Sequence, residues 1–463
     1  MNTRANSPHS RDIAYHLHPY TNLAAHEKQG PHIIAKGDGI YVVDDNGKRY
    51  IEGLAGLWCA SLGFSEQRLV EAATRQLRAL PYYHGFAHKT APPAIELAER
   101  LIEMAPVPMS KVFFTNSGSE ANDTQIKMVW YYNNALGRPK KKKIVSRRLG
   151  YHGVTIATAS LTGIPYVQDA FDVPIANIIH TECPHYWGFG RDGESEEEFA
   201  TRMAESLEQL ILDEDPETVA AFIAEPVQGA GGVILPPATY FDKVQEVLRK
   251  YDVLFIADEV ICGFGRTGNM FGTETYDLKP DMITVAKALS SAYLPIGGAM
   301  ISEKVYEAIR DESGRRGVFG TGYTYTGHPV CAAVAVETLK IYEERDIVGH
   351  VQSVAPRMQE HLRALGDHPL VGEARGVGLI GAVQLVKNKA TNEMFDPALK
   401  IAPWAMNRAV DHGLLVRALV GDVVAVCPPL IITEAQIDEL FDGFRKALDD
   451  TLDMVVKSGE VAA

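Results

Sequence analysis

The sequence predicts an α/β protein in which helices cover both faces of a mostly parallel sheet, joined to a second, smaller α+β region. Three observations carry this expectation. Between about residues 70 and 325, helix-length amphipathic stretches alternate with short apolar runs, the pattern of repeated βα units. The chain has 463 residues, 46% hydrophobic and 22% charged, enough to bury a full core and more than one domain usually holds. Outside that stretch the regular alternation is lost, and short strand-like runs mix with single helices.

In chain order, residues 1–70 form the N-terminal part of the small domain and contain IYVVDDNGKRYIEG, where two β-rich pieces flank an Asp-Asn-Gly turn and predict a hairpin. Residues 71–325 form the large domain. Its strands are expected at KVFFT (111–115), KKIVSR (142–147), VAAFIAEP (219–226), VLFIADEV (253–260) and DMITVAK (281–287). Residues 326–463 return to the small domain through a helix at 329–344, the run GVGLIGAVQLV, a helix near 398–412, LLVRAL, VVAVCPPLII and a closing helix at 434–456. The Lys140–Lys143 run is expected to be a solvated helix end.

A net charge of −14 disfavours nucleic acid or an anionic membrane as partner. No run approaches the ~20 apolar residues of a membrane span, and MNTRANSPHSRD lacks a secretory apolar stretch, so a cytoplasmic location is expected. The five cysteines, at 59, 183, 262, 331 and 427, are scattered and form no C-x-x-C pair. They predict buried thiols and no metal centre.

In open α/β sheets ligands bind beyond the carboxyl ends of strands, so the residues closing the predicted strands come first. After KVFFT, the segment from Asn116 through Ser117, Gly118 and Ser119 opens a helix running to about Leu136. Its free N–H groups and positive dipole end suit a phosphate, although Ser117 and Glu120 would equally form a capping box. The next strand end is Asp258-Glu259, followed by GFGRTG. An apolar strand ending in Asp-Glu is compatible with a nucleotide-binding ATPase, but G-x-x-x-x-G-K-[ST] occurs nowhere. GFGRTG matches G-x-G-x-x-G, but loop rather than helix is expected after it. Lys287 is a third strand-end residue. A lysine delivered by a buried strand is costly unless its charge is used, and amine chemistry with a carbonyl cofactor uses it. Together these supply what a pyridoxal cofactor needs: a phosphate cradle, a carboxylate for the ring nitrogen, and a lysine for the aldehyde.

The motifs NSGSEAND, YHG (151–153), AEPVQGAGG, IADEVICGFGRTG, Ala286-Lys287 and GYTYTGHP (322–329), in that order, resemble the class III, or ω-, aminotransferases of fold type I. The resemblance spans nearly the whole chain. It implies pyridoxal 5′-phosphate, a seven-stranded sheet in the large domain, a small domain from both chain ends, and a homodimer with shared active sites, whose pairing into tetramers stays open. By the same resemblance Lys287 is the catalytic, cofactor-bearing lysine and Asp258 the ring-nitrogen partner. Ser117, Gly118 and Ser119 hold the phosphate, with Thr324 reaching it from the other subunit. Tyr151 and Val260 flank the ring, and His152 and Glu225 complete the cofactor set.

Two departures narrow the subgroup. Ala425 stands where relatives that read an α-carboxylate or act on ornithine or γ-aminobutyrate carry an arginine, and Ala230 where ornithine-type members carry a glutamate. Ile261 replaces a glutamine common near the cofactor hydroxyl. The pocket then resembles the amine:pyruvate and β-alanine:pyruvate enzymes, with Arg417 as a mobile carboxylate reader and Tyr20, Trp58, Phe86 and Tyr151 as an aromatic wall. The expected reaction moves the amino group of an ω-amino acid or primary amine, S-selectively, to pyruvate as keto-acid acceptor. An aminomutase, racemase or decarboxylase on the same fold is the alternative.

Overall fold

The computed structural model describes residues 6–461, so the outermost residues of both expected chain-end pieces lie outside it. Its centre is a seven-stranded sheet with the order Lys111–Thr115, Gly297–Ile301, Met282–Val285, Leu254–Asp258, Val219–Ala224, Lys143–Arg147, Ile178–Thr181. Only Gly297–Ile301 runs antiparallel to its neighbours. The five strands read from sequence are all present, each trimmed by up to two residues at its ends.

The alternation of side chains across the pleat explains why these strands are apolar throughout. Phe222 and Phe255, paired in register, pack with Phe199, Leu207 and Val244 on one face. Ile223 and Ile256, the next pair, pack on the other face with Ile126, Val129 and Ile144. A third, larger core joins Val285 and Met300 to Leu97, Leu339, Met358 and Phe444, tying the sheet to the C-terminal helices.

The predicted hairpin forms between Tyr41–Asp44 and Arg49–Glu52. Gly47 N–H donates to the Asp44 carbonyl at 3.1 Å and Asp44 N–H to the Lys48 carbonyl at 3.0 Å, while Gly47 takes φ +86°. This is a type I turn closed by a left-handed glycine, and glycine is what that position demands. Leu414–Leu415 adds to Arg49–Glu52 in parallel, so residues from both chain ends share one sheet. A second four-stranded sheet comes from Val371–Val377, Ile380–Leu385, Val423–Val426 and Arg417–Leu419. The helices Pro329–Glu344, Ile401–Asp411 and Glu434–Lys457 fall where expected. No helix among the described residues is long and apolar enough to cross a membrane.

One expectation is corrected. Lys140 is exposed, but the rest of the lysine run is not a solvated helix end: Lys141 is 3% exposed, and Lys141, Lys142 and Lys143 each donate to a carbonyl in or capping a helix. Lys141 Nζ donates to the Tyr251 carbonyl at 3.0 Å, Lys142 Nζ to the Trp130 carbonyl at 3.0 Å, and Lys143 Nζ to the Glu214 carbonyl at 2.8 Å. The Tyr251 and Glu214 carbonyls close Tyr240–Lys250 and Glu196–Asp213, where positive charge is favoured, and Lys142 also donates to Asn134 Oδ1 near the end of Gly118–Ala135. After GFGRTG the chain is loop, as expected, apart from the single turn Gly272–Thr275; Arg266 of the motif is buried and donates to the carbonyls of Leu379 and Pro428, fastening the large sheet to the C-terminal region.

Candidate active site

The carboxyl ends of the central strands open into a cavity of about 610 Å³. Ser117, Gly118 and Ser119 reach it after Lys111–Thr115, Tyr151 and His152 after Lys143–Arg147, Glu225 after Val219–Ala224, Asp258 and Val260 at the end of Leu254–Asp258, and Lys287 after Met282–Val285. Tyr20, Trp58, Ala230, Ile261 and Arg417 complete the wall. Residues far apart in sequence thus converge because parallel strands point one way.

The phosphate cradle and the capping interaction coexist. Ser117 Oγ accepts from Glu120 N–H at 3.1 Å, capping Gly118–Ala135, while Glu120 reaches back to Asn116 N–H at 2.7 Å rather than to Ser117. The N–H groups of Gly118 and Ser119 lie in the first turn, where no intrahelical acceptor exists. A Cβ on Gly118 would sit 3.2 Å from both Val260 methyl groups, and one on Gly153 2.6 Å from Ser119 Oγ, so both glycines keep this end of the cavity open.

Asp258 is 2% exposed. Its Oδ2 accepts from Asn122 Nδ2 and faces His152 Nδ1, both at 2.8 Å, and its Oδ1 accepts from Val260 N–H at 3.1 Å. His152 Nε2 and Asn122 Oδ1 are buried without partners. Glu225 accepts from Tyr151 N–H and Gly229 N–H, both at 2.9 Å, and burial pushes its carboxyl pKa up. Glu225 therefore shapes the loops on either side of the ring site.

The Lys287 side chain has no hydrogen bond or ion pair among the described residues, and its φ of +47° turns the chain sharply off the strand into the short helix Lys287–Ser290. Burial pushes its ammonium pKa below the ordinary lysine value, and the negative charge of Asp258 pushes back. An unpaired buried lysine opposite a fixed carboxylate, with a helix start and open glycines between, fits a small anionic carbonyl cofactor with a protonatable ring.

Arg417 lies at the mouth without an ion pair among the described residues. Its charge acts on Tyr151 and Tyr166, whose phenol pKa values are pushed up by burial; the Tyr20 hydrogen bond, at 3.4 Å, raises that of Tyr151 further. The Tyr20 ring meets Tyr166 edge-on, with centroids 6.2 Å apart. Ala425 is fully buried and packs in one cluster with Trp58 and Ile261, so no arginine occupies that place.

Two predicted residues are not brought to this cavity. Phe86 is 45% exposed, and Thr324 is also exposed. They belong to touching segments: a Cβ on Gly322 would lie 2.6 Å from the Phe86 ring, and Tyr82 Oη donates to the Thr324 carbonyl at 2.8 Å. Phe86, expected in the aromatic wall, does not line the cavity within this single chain. Asn122, Tyr166 and Cys59 line the cavity without having been predicted. Asn122 sits one turn after Gly118 on the same helix face, a spacing that could have found it. Nothing in the sequence around Tyr166 signals its place.

The Asp-Glu strand end does not serve a nucleotide. Glu259 turns away from the cavity and accepts from Gly272 N–H at 3.0 Å and Thr273 N–H at 2.5 Å, capping the short helix Gly272–Thr275, and burial raises its pKa to about 7.

Comparison with known proteins agrees with this geometry. A family model described as aminotransferase class-III matches residues 23–448. Gamma aminobutyrate transaminase 3, chloroplastic, from Solanum lycopersicum is 54% identical over 91% of this chain and 81% of its own length. Vanillin aminotransferase from Capsicum chinense is 54% identical over 91% of this chain and 92% of its own. Among solved structures, the omega transaminase from Pseudomonas jessenii in complex with PMP is 55% identical and superposes with a TM-score of 0.96 over 97% of this chain and 99% of that one. The chain belongs to the class III aminotransferases, enzymes of fold type I whose cofactor is pyridoxal 5′-phosphate.

Proposed function

We propose that this enzyme moves the amino group of an ω-amino acid or a primary amine to pyruvate, giving alanine and an aldehyde or ketone, with preference for S amines. The observation that carries the reading is Arg417, a cation at the cavity mouth beside Tyr20, Tyr151 and Tyr166 with no carboxylate partner among the described residues. An unpaired arginine can bind a substrate carboxylate bidentately, and the apolar wall of Trp58 and Leu57 can take a substituent without one. The relatives named as γ-aminobutyrate transaminases point to γ-aminobutyrate as a donor, although Ala425 stands where an arginine was expected for that substrate, and the vanillin aminotransferases point to an aromatic one.

The cofactor, when bound, supplies an electron sink for the pair left on the substrate carbon when its proton departs. Gly118, Ser119 and the Ser117 turn would hold its phosphate, Asp258 its ring nitrogen, and Tyr151 and Val260 its two faces. Lys287 Nζ takes the proton from the substrate carbon that bears nitrogen and returns one in the second half-reaction. Its depressed pKa keeps more of the amine unprotonated near neutral pH, as a base requires. His152 and Asn122 hold Asp258 in place. Phe86 and Thr324, with exposed Tyr82 and Tyr325, form a surface that we assign to a homodimer in which each chain completes its partner's cavity.

A panel of donors with pyruvate and 2-oxoglutarate offered separately tests the reading. The expected result is turnover with pyruvate; a preference for 2-oxoglutarate would overturn it.

A further inference from the structure

The chain ahead of the cavity wall contains a cluster that the transfer reaction does not use. Asp12 lies on the helix Pro8–Tyr15, His16 caps its end, His18 follows, and His26 projects from the next helix, Leu23–Gln29. His18 Nε2 lies 2.8 Å from Asp12 Oδ1, His26 Nε2 3.0 Å from the same oxygen, and His16 Nδ1 3.2 Å from Oδ2. The three rings crowd together, His16 on His18 at 4.1 Å and His18 on His26 at 4.2 Å between centroids.

The carboxylate of Asp12 is thus ringed by three imidazole nitrogens, a set of oxygen and nitrogen donors that a single divalent ion can take in place of the hydrogen bonds. In a tetrahedral site with ligands at about 2.0–2.1 Å, neighbouring donor atoms lie roughly 3.3 Å apart. Asp12, His16 and His18 already have their donor atoms within 4.8 Å of one another, the one such group among the described residues. Two nitrogens and one oxygen, with His26 Nε2 3.0 Å from Asp12 Oδ1 beside them, suit zinc, cobalt or nickel rather than calcium or magnesium.

We propose that Asp12, His16 and His18 bind one borderline divalent cation, with His26 of the second helix holding Asp12 from beside the site, so that the ion and its support tie the first two helices together. The segment between them carries Pro19 and Tyr20 into the cavity wall, so the ion fixes the outer edge of the substrate site. This assignment stands whether or not pyruvate is the acceptor.

The test uses the tag-free holoenzyme, stripped of metal with a chelator and titrated with Co²⁺ while its visible d–d absorption is followed, then challenged with Zn²⁺. One Co²⁺ per chain, displaced by Zn²⁺, is expected. The double variant His16→Ala/His18→Ala and, separately, Asp12→Asn should each weaken binding at least about tenfold, since loss of a ligand costs no less than loss of its supporting partner. The cofactor absorbance band shows that each variant is folded, and His26→Gln replaces any that lacks it. Absence of saturable binding, or unchanged affinity in any folded variant, overturns the proposal.

Discussion

Replacing Arg417 with leucine separates the two kinds of substrate that the cavity is proposed to accept. Arg417 emerges from the strand Arg417–Leu419 into the mouth, and no acidic side chain among the described residues competes for it. A bidentate bond between guanidinium and carboxylate contributes about 1.5–3 kcal/mol, which is about a 10- to 150-fold change in a rate or affinity. Because Arg417 is partly exposed, solvent screening places the expected loss in the lower half of that range. Leucine offers comparable apolar surface, and the hydrogen bond between Tyr20 and Tyr151 does not depend on the arginine. Single-turnover half-reactions, followed through the cofactor spectrum, would compare β-alanine, pyruvate and 1-phenylethylamine. kcat/KM should fall about 10- to 50-fold for the two carboxylates and change less than about threefold for the amine. A fall of equal size for all three would show that Arg417 supports the fold of the pocket and does not read a carboxylate.

Lys287→Ala should abolish turnover, and borohydride reduction followed by peptide mapping should label the wild-type chain at Lys287 alone; a label elsewhere refutes its role. Asp258→Asn removes a buried charge that faces two side-chain donors, so the single-turnover rate should drop about 10- to 150-fold while far-ultraviolet circular dichroism stays unchanged. Glu52 is buried beneath the Trp58 loop, accepting from Gly56 N–H, and burial raises its pKa from 4.5 to about 7. Its folded form therefore holds a proton that the unfolded chain has released between those values, so this contribution to stability is full below pH 4.5 and is lost as pH rises through 7. Glu52→Gln lacks that dependence. Between pH 5 and pH 8 the stability measured by urea unfolding should shift in favour of the variant by about 2–3 kcal/mol, and parallel pH dependence of both proteins would contradict the assignment.

How far the sequence could be read depended on whether a residue's surroundings were local. The apolar runs ending in Asp258 and Lys287 announced themselves because a strand buried on both faces must be apolar, and a charge at its end must have a use. Gly297–Ile301 was missed because it opens with two glycines, which look like a turn. The structure shows crowding instead: a Cβ on Gly297 would lie 2.7 Å from the Ser117 carbonyl, and one on Gly298 3.2 Å from Val112. These glycines let the antiparallel strand pass close to the helix start that forms the phosphate cradle. Ile178–Thr181 was missed because it is a short edge strand with polar members. The lysine run misled for a related reason, since the helix ends that Lys141 and Lys143 bind come from distant segments. Phe86 resembled a wall residue by motif alone, and only the fold shows that its own cavity lies elsewhere.

The same separation explains the backbone of the site. Tyr20, Trp58 and Lys287 all adopt left-handed conformations, with φ of +51°, +66° and +47°, and all three line one cavity. Each costs roughly 1–2 kcal/mol for a side chain with a Cβ, so such residues persist only where neighbours over-determine them. Around Lys287 those neighbours are visible. Tyr342 Oη donates to the Ala288 carbonyl at 2.6 Å, Ser291 Oγ accepts from Leu62 N–H at 2.9 Å, and Gln125 Nε2 donates to the Ile283 carbonyl at 3.0 Å on the strand before it. Tyr342 belongs to a helix of the C-terminal region, Leu62 to the N-terminal segment and Gln125 to the helix that begins at the phosphate cradle. The turn that presents the lysine is thus clamped from both chain ends and from the cradle at once. The Lys287 side chain is held unpaired and largely desolvated by the assembled fold, a condition that no stretch of sequence near it specifies.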